Sequence, residues 1–249
     1  MTEDSMKKLL SNGALFAALS APLLSTPAQA SDIDALQTLG QAEFKLLTED
    51  MGAALSYKSL SPAAALGVTG FDLGLSVTGT SLKSVAIWEK STGGDSIPNT
   101  LPVPMLRVAK GLPLNIDVGA FYLQIPSTNI RLYGAEARWA FVEGGVATPA
   151  ISLHATYSKV TGVDQLNLKT TSMDLSISKG FAVITPYGGI GQVWTNATPV
   201  NVPLLKSASI TQTKYFVGLN FNLGLPNLAF EADQTGGITS YGAKFGLRW

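Results

Sequence analysis

The chain of 249 residues contains no cysteine. That excludes disulfides, thiolate metal sites, cysteine nucleophiles and an N-terminal lipid-modified cysteine. There is one histidine, His154, and no EF-hand or HExxH spacing, so no metal and no cofactor is expected. Charge is scarce: Asp, Glu, Lys and Arg make up 14% of the chain, against about 25% in an ordinary soluble domain. The 17 bases balance the 17 acids, so no basic face invites nucleic acid. Gly188, Gly189 and Gly191 lie within a strand pattern rather than ahead of a helix, so no phosphate-cradling loop is formed. Past residue 30, no run of about 18 apolar residues offers a membrane helix.

What is present begins with an address. Met6-Lys7-Lys8 forms a positive n-region, residues 9–25 are mostly apolar, and Ala28-Gln29-Ala30 is a small-x-small cleavage site. Residues 1–30 therefore read as a signal peptide. An exported chain with mean hydropathy +0.24 and no spanning helix must place its apolar surface some other way.

Period-2 alternation supplies it. Phe71, Leu73, Leu75 and Val77 alternate with Asp72, Gly74, Ser76 and Thr78; Tyr133, Ala135, Ala137, Trp139 and Phe141 with Gly134, Glu136 and Arg138; Tyr215, Val217, Leu219 and Phe221 with Lys214, Gly218 and Asn220. Each is a strand with one apolar face. The polar faces carry full charges, which argues against a soluble sandwich. Aromatics sit near strand ends (Trp139, Phe141, Tyr157, Tyr187, Trp194, Phe221, Tyr241, Trp249), as where a barrel crosses two lipid interfaces. Lipid cannot satisfy an open sheet edge, so the sheet must close.

The expected fold is all-β: a transmembrane antiparallel up-and-down barrel over residues 53–249. Ten strands are preferred, near 68–80, 101–110, 114–124, 129–143, 148–159, 166–178, 181–195, 207–222, 226–233 and 237–249. A twelve-strand alternative adds 53–60 and 82–90. Even-numbered connections are tight and the longest odd ones span 81–100 and 196–206; with both ends of the chain in the periplasm, the tight turns fall on the periplasmic side. The even parity of Leu166 and Leu168, against odd Met173, Leu175 and Ile177, calls for a bulge near Thr170–Ser172. The run PYGGIG (186–191) marks a bend or bulge. Ahead of the barrel, Ser31-Asp32-Ile33-Asp34 resembles a capping box, and Ile33, Leu36, Leu39, Leu47 and Met51 recur at helical spacing. A short periplasmic helix over 31–52 is expected, at the mouth, as a plug, or only leading into the first strand.

Ser240-x-Gly242-x-x-Phe245-x-Leu247, closing on Trp249, resembles the C-terminal β-signal of Gram-negative outer-membrane proteins; a terminal Trp departs from the usual Phe. The resemblance implies Gly242, Phe245, Leu247 and Trp249 as an assembly signal, the barrel assembly machinery and outer-membrane lipid as partners, and location in the outer membrane. The segments LGVTGFDLGL (66–75), KGLPLNIDVGA (110–120), SKGFAVITPYGGIG (178–191) and FEADQTGG (230–237) are similar to a group of small outer-membrane barrel proteins without assigned activity. The order helix then barrel is similar to outer-membrane transporters of long-chain hydrocarbons and fatty acids, which are much longer.

The inward face collects the chemistry: Asp72, Asp117, Glu136, Asp174, Glu231 and Asp233 against Arg107, Arg138, Lys214, Lys244 and Arg248, with His154. The function expected is a transport or channel-type protein for a small or hydrophobic solute, these residues lining the path. The alternative is a closed structural or interaction barrel in which they pair across the lumen. A second alternative is a lipid-modifying enzyme using His154 with a neighbouring hydroxyl; no catalytic residue is otherwise assigned.

Overall fold

The computed structural model describes residues 32–125 and 128–249; the expected signal peptide lies outside them. Ten antiparallel strands follow in chain order: β1 (Phe71–Ser81), β2 (Thr100–Leu112), β3 (Ile116–Gln124), β4 (Arg131–Val142), β5 (Ala150–Thr161), β6 (Leu166–Ser178), β7 (Ile184–Pro199), β8 (Ala208–Asn222), β9 (Pro226–Thr235) and β10 (Ile238–Arg248). Each pairs with its neighbours, and β10 returns to β1 to close the barrel. The seam runs in unbroken register, with Leu73 opposite Leu247 and Leu75 opposite Phe245. Residues 53–60 and 82–90 are not strands: the chain is helical to Leu55 (α1, Gln41–Leu55) and again at Val85–Ser91 (α2). The twelve-strand alternative is thereby excluded.

The wall is apolar outside and polar inside. Leu75, Val217 and Phe245 are 64%, 65% and 61% exposed, whereas Asp72 and Lys214 are 0% exposed. A soluble barrel has the reverse arrangement; lipid around the wall selects this one. Connections differ at the two ends. At the end where β1 begins and β10 finishes, the turns are short. At the far end, residues 82–99 carry α2, while β9 and β10 meet through Gly236 and Gly237, both with positive φ (59° and 77°), as a tight two-residue hairpin turn demands.

Two expected irregularities are absent. β6 keeps one register against β5 and β7 throughout, so no bulge lies at Thr170–Ser172. Leu166 and Leu168 simply point inward. They are not alone: Leu101, Val103, Phe121, Leu123, Leu132 and Val160 also face in and belong to the buried apolar cluster. The far third of the lumen is apolar, so the rule that apolar side chains face lipid fails there. Nor does the PYGGIG run break its strand, since β7 pairs evenly with β6 and β8. Its glycines make room: a Cβ on Gly189 would stand 2.5 Å from the Phe216 ring. The irregular register lies in β4 against β5, between Trp139 and Val142. Tyr187, expected in the outer girdle, shares the parity of Val193 and Thr195 and is buried inside.

What fills the apolar third is the N-terminal segment. Ile33, Leu36, Phe44, Leu47, Met51 and Leu55 pack in the same cluster, joined by Trp88 of α2. The Leu36 amide, which opens a short 3-10 turn (Leu36–Thr38), donates to Gln165 Oε1 (3.0 Å) in the β5–β6 connection. Gln41 exchanges hydrogen bonds with Lys206 in the β7–β8 connection (3.0 and 2.7 Å). The helix thus sits at the far mouth, whereas the sequence put it on the side where the barrel begins. It also starts later than expected, at Gln41, where the Gly40 amide donates to Glu43 Oε2 (2.7 Å).

Candidate functional site

Residues 56–70 must connect a helix at the far mouth to a strand that begins at the near one. They do so through the lumen, as a strap without regular secondary structure. A strap in this state leaves its backbone groups unpaired, and buried backbone polar groups need partners. The wall's side chains supply them. The Leu60 amide donates to Glu231 Oε2 (2.9 Å), the Ala63 amide to Ser178 Oγ (3.1 Å) and the Leu66 amide to Asp117 Oδ1 (3.0 Å). In the other direction, Lys214 Nζ donates to Tyr57 O (3.1 Å), Arg138 Nη1 to Pro62 O (2.7 Å) and Ser61 Oγ (2.8 Å), and Arg107 to Ser59 O. Tyr57 lies on the Phe121 ring (centroids 4.4 Å apart) and donates its hydroxyl to Glu136 Oε1 (2.8 Å).

All twelve inward residues singled out from the sequence face this strap or each other. The wall pairs four of its six carboxylates with its own bases: Asp72 with Lys244 (2.8 Å) and Arg248 (3.2 Å), Asp117 with Arg138 (2.8 Å), Glu136 with Arg107 (2.9 Å), and Asp174 with Lys214 (3.1 Å). The remaining two, Glu231 and Asp233, stand on β9. Asp233 takes its cation from the strap, Lys58, at 3.1 Å. Glu231 accepts from the Leu60 amide and from the Tyr187 hydroxyl (3.0 Å), while its Oε1 has no hydrogen-bond partner among the described residues.

His154 is held between carboxylates. Its Nε2 lies 2.8 Å from Glu136 Oε2 and its Nδ1 3.8 Å from Asp174 Oδ2. The hydroxyls that share its face are engaged across β5 and β6: Ser152 with Ser176 and Thr156 with Ser172, each at 2.8 Å. Among the described residues no hydroxyl hydrogen-bonds to the imidazole, and the ring faces the lumen rather than lipid. Of the residues in the expected assembly signal, Phe245, Leu247 and Trp249 line the outer face, and Gly242 faces in, where a Cβ would come within 3.2 Å of Leu60. Trp249 extends the seam by exchanging backbone hydrogen bonds with Phe71 (3.1 and 2.9 Å) and stacks on its ring at 5.1 Å.

At the far mouth, Asp50 of α1 joins helix to loop. It accepts from the Lys83 amide (3.2 Å), the Ser84 amide (2.8 Å) and Trp88 Nε1 (3.2 Å). Burial pushes its carboxyl above the usual Asp range, opposed by those three donors. Glu43 nearby goes the other way: the Gly40 amide and then the Lys90 ammonium (2.9 Å) hold it low.

No sequence pattern announces the strap. In LSYKSLSPAAALG (55–67) neither period holds, and a lone lysine sits among small residues and a proline. That absence of pattern, directly before the first regular strand, is the signal that was available.

Fold and lumen together define a class: a closed ten-strand barrel, lipid-compatible outside, whose lumen is occupied by its own N-terminal segment. No family profile and no curated protein sequence matches the chain. Solved structures similar in fold include the KdgM porin (9% identity, TM-score 0.37, covering 71% of this chain and 98% of that one). Two others are Ail, the attachment invasion locus protein of Yersinia pestis (11%, 0.30, 73% and 99%), and the outer membrane protease OmpT from Escherichia coli (9%, 0.34, 72% and 94%). At these scores the likeness concerns the barrel alone.

Proposed function

We propose that the chain is an outer-membrane barrel of a Gram-negative cell that conducts a small solute when its strap loosens from the wall within the lumen. The near end, with short turns, faces the periplasm, and the mouth closed by α1 and α2 faces outward. The observation that carries this reading is the division of the ion pairs. Four lumen carboxylates are neutralised within the wall itself, so the charged part of the lumen is largely self-sufficient without the strap. The strap is a separate occupant held by hydrogen bonds, one ion pair and the packing of Tyr57 on Phe121. The His154 enzyme reading has no such support, because among the described residues the imidazole meets carboxylates and no hydroxyl.

A closed interaction barrel is the second reading. The apolar cluster at the far mouth favours it, since that packing anchors α1 and with it the strap's outer end. Planar-bilayer recordings separate the two. The full chain should show rare openings. Lys58→Glu, which sets a carboxylate against Asp233, and a variant lacking residues 32–55 should both open more often. Silence in all three would leave the closed barrel as the better account.

A further inference from the structure

Among the described residues, two lumen carboxylates, Glu231 and Asp233, have no ion-pair partner in the wall: no wall cation lies within 4.0 Å of either, and the only ammonium there belongs to the strap. Lys58 is 3% exposed, and its three N–H donors meet three acceptors: Asp233 Oδ2 (3.1 Å), Ala53 O (2.7 Å) and Ser56 Oγ (2.7 Å). One of these acceptors is on the strap, one is in the last turn of α1 and one belongs to the wall. A second observation points to a ligand: Glu231, two residues along the same face and 5% exposed, holds a carboxylate oxygen with no partner. An unsatisfied buried carboxylate oxygen is costly, and a further cationic donor would relieve it.

We propose that Asp233 and Glu231 form a binding site for the ammonium group of a primary amine, and that Lys58 is its tethered occupant while the strap is in place. The inference rests on the plugged-channel reading and names its solute class. Tyr187 supports the site by donating to Glu231, which fixes the carboxylate on its strand. A metal ion fits poorly: the described residues gather no group of three or more His, Asp or Glu for one, and hard cations take six or more oxygens. Anionic solutes are excluded at the same place, because two carboxylates face it.

The test uses the full chain in detergent. Lys58→Ala removes the tethered ammonium and leaves its space. Butylammonium should then raise the thermal unfolding midpoint of this variant with the logarithm of its concentration, by about 2–4 °C at about five times its dissociation constant. Sodium chloride and butyrate at equal ionic strength should not, nor should wild type respond, since its site is filled. Adding Asp233→Asn to Lys58→Ala should abolish the shift. If Lys58→Ala does not fold alone, its refolded yield with and without butylammonium reads the same quantity. A response no larger than that to sodium chloride, or an equal response in the double variant, overturns the proposal. Conduction does not enter these measurements, so a silent bilayer would count against the channel and not against the amine site.

Discussion

Asp50 shows how much one side chain can hold. Three donors from the 82–99 connection converge on its carboxylate, so Asp50→Ala strands two backbone amides and an indole N–H. A loss of about 1–3 kcal/mol follows from leaving such groups unsatisfied, with faster hydrogen exchange at Ser84 and a shift in Trp88 emission as the readouts. The pH dependence has a definite sign. Burial raises the carboxyl in the folded state, so the folded chain holds this proton more readily than the unfolded one. Its contribution is fullest below the ordinary Asp value and declines as pH rises past it. Asp50→Asn should flatten that decline in a pH series of unfolding midpoints; an unchanged slope would remove Asp50 as the source.

At the scale of the element, β10 decides whether a barrel exists at all. Its outer row, Tyr241, Phe245 and Leu247, meets lipid, and its hydrogen bonds to β1 are the only thing that removes the two open edges. Phe245→Asp puts a charge in that row, and deletion of Trp249 takes away the last backbone pair with Phe71. Both variants should fail to give the heat-modifiable band of a folded barrel in gel electrophoresis; normal bands in both would show that the tail is dispensable. The same strand explains what could be read from the sequence. Period-2 alternation, even in most strands and less even at 104–110, 181–195 and 226–233, located the ten strands to within a few residues, because a wall with lipid on one side and charge on the other repeats that contrast along its length. The contrast disappears where the inside is apolar as well. Leu166, Leu168, Phe121 and Leu123 look like lipid-facing residues out of step, and only the packed N-terminal segment explains their parity. The inward direction of the lumen charges was legible for the same reason as the strands. Their partners were not: Lys58, Tyr57 and the strap's amides come from a segment without period, and pairing across a lumen leaves no mark in spacing.

Taken whole, the molecule has two unlike ends, and its lack of cysteine makes them easy to label. A single cysteine in place of Lys45, exposed on α1, should react with a membrane-impermeant maleimide in intact cells. One in place of Val146, fully exposed in the β4–β5 turn, should react only after the outer membrane is breached. The reverse pattern would invert the orientation proposed for the barrel, and with it the side from which a solute meets the strap.

The strap's position also fixes an order of events. A thread inside a closed ring arrives there either because the ring closes around it or because its end is drawn through the finished hole. α1, about 10–12 Å across with its side chains, would have to slide its apolar face past Asp72, Arg107, Asp117 and their partners to take the second route. Closure around the thread meets no such barrier. The wall then winds onto the strap as onto a mandrel, and the β1–β10 seam is the last join to be made.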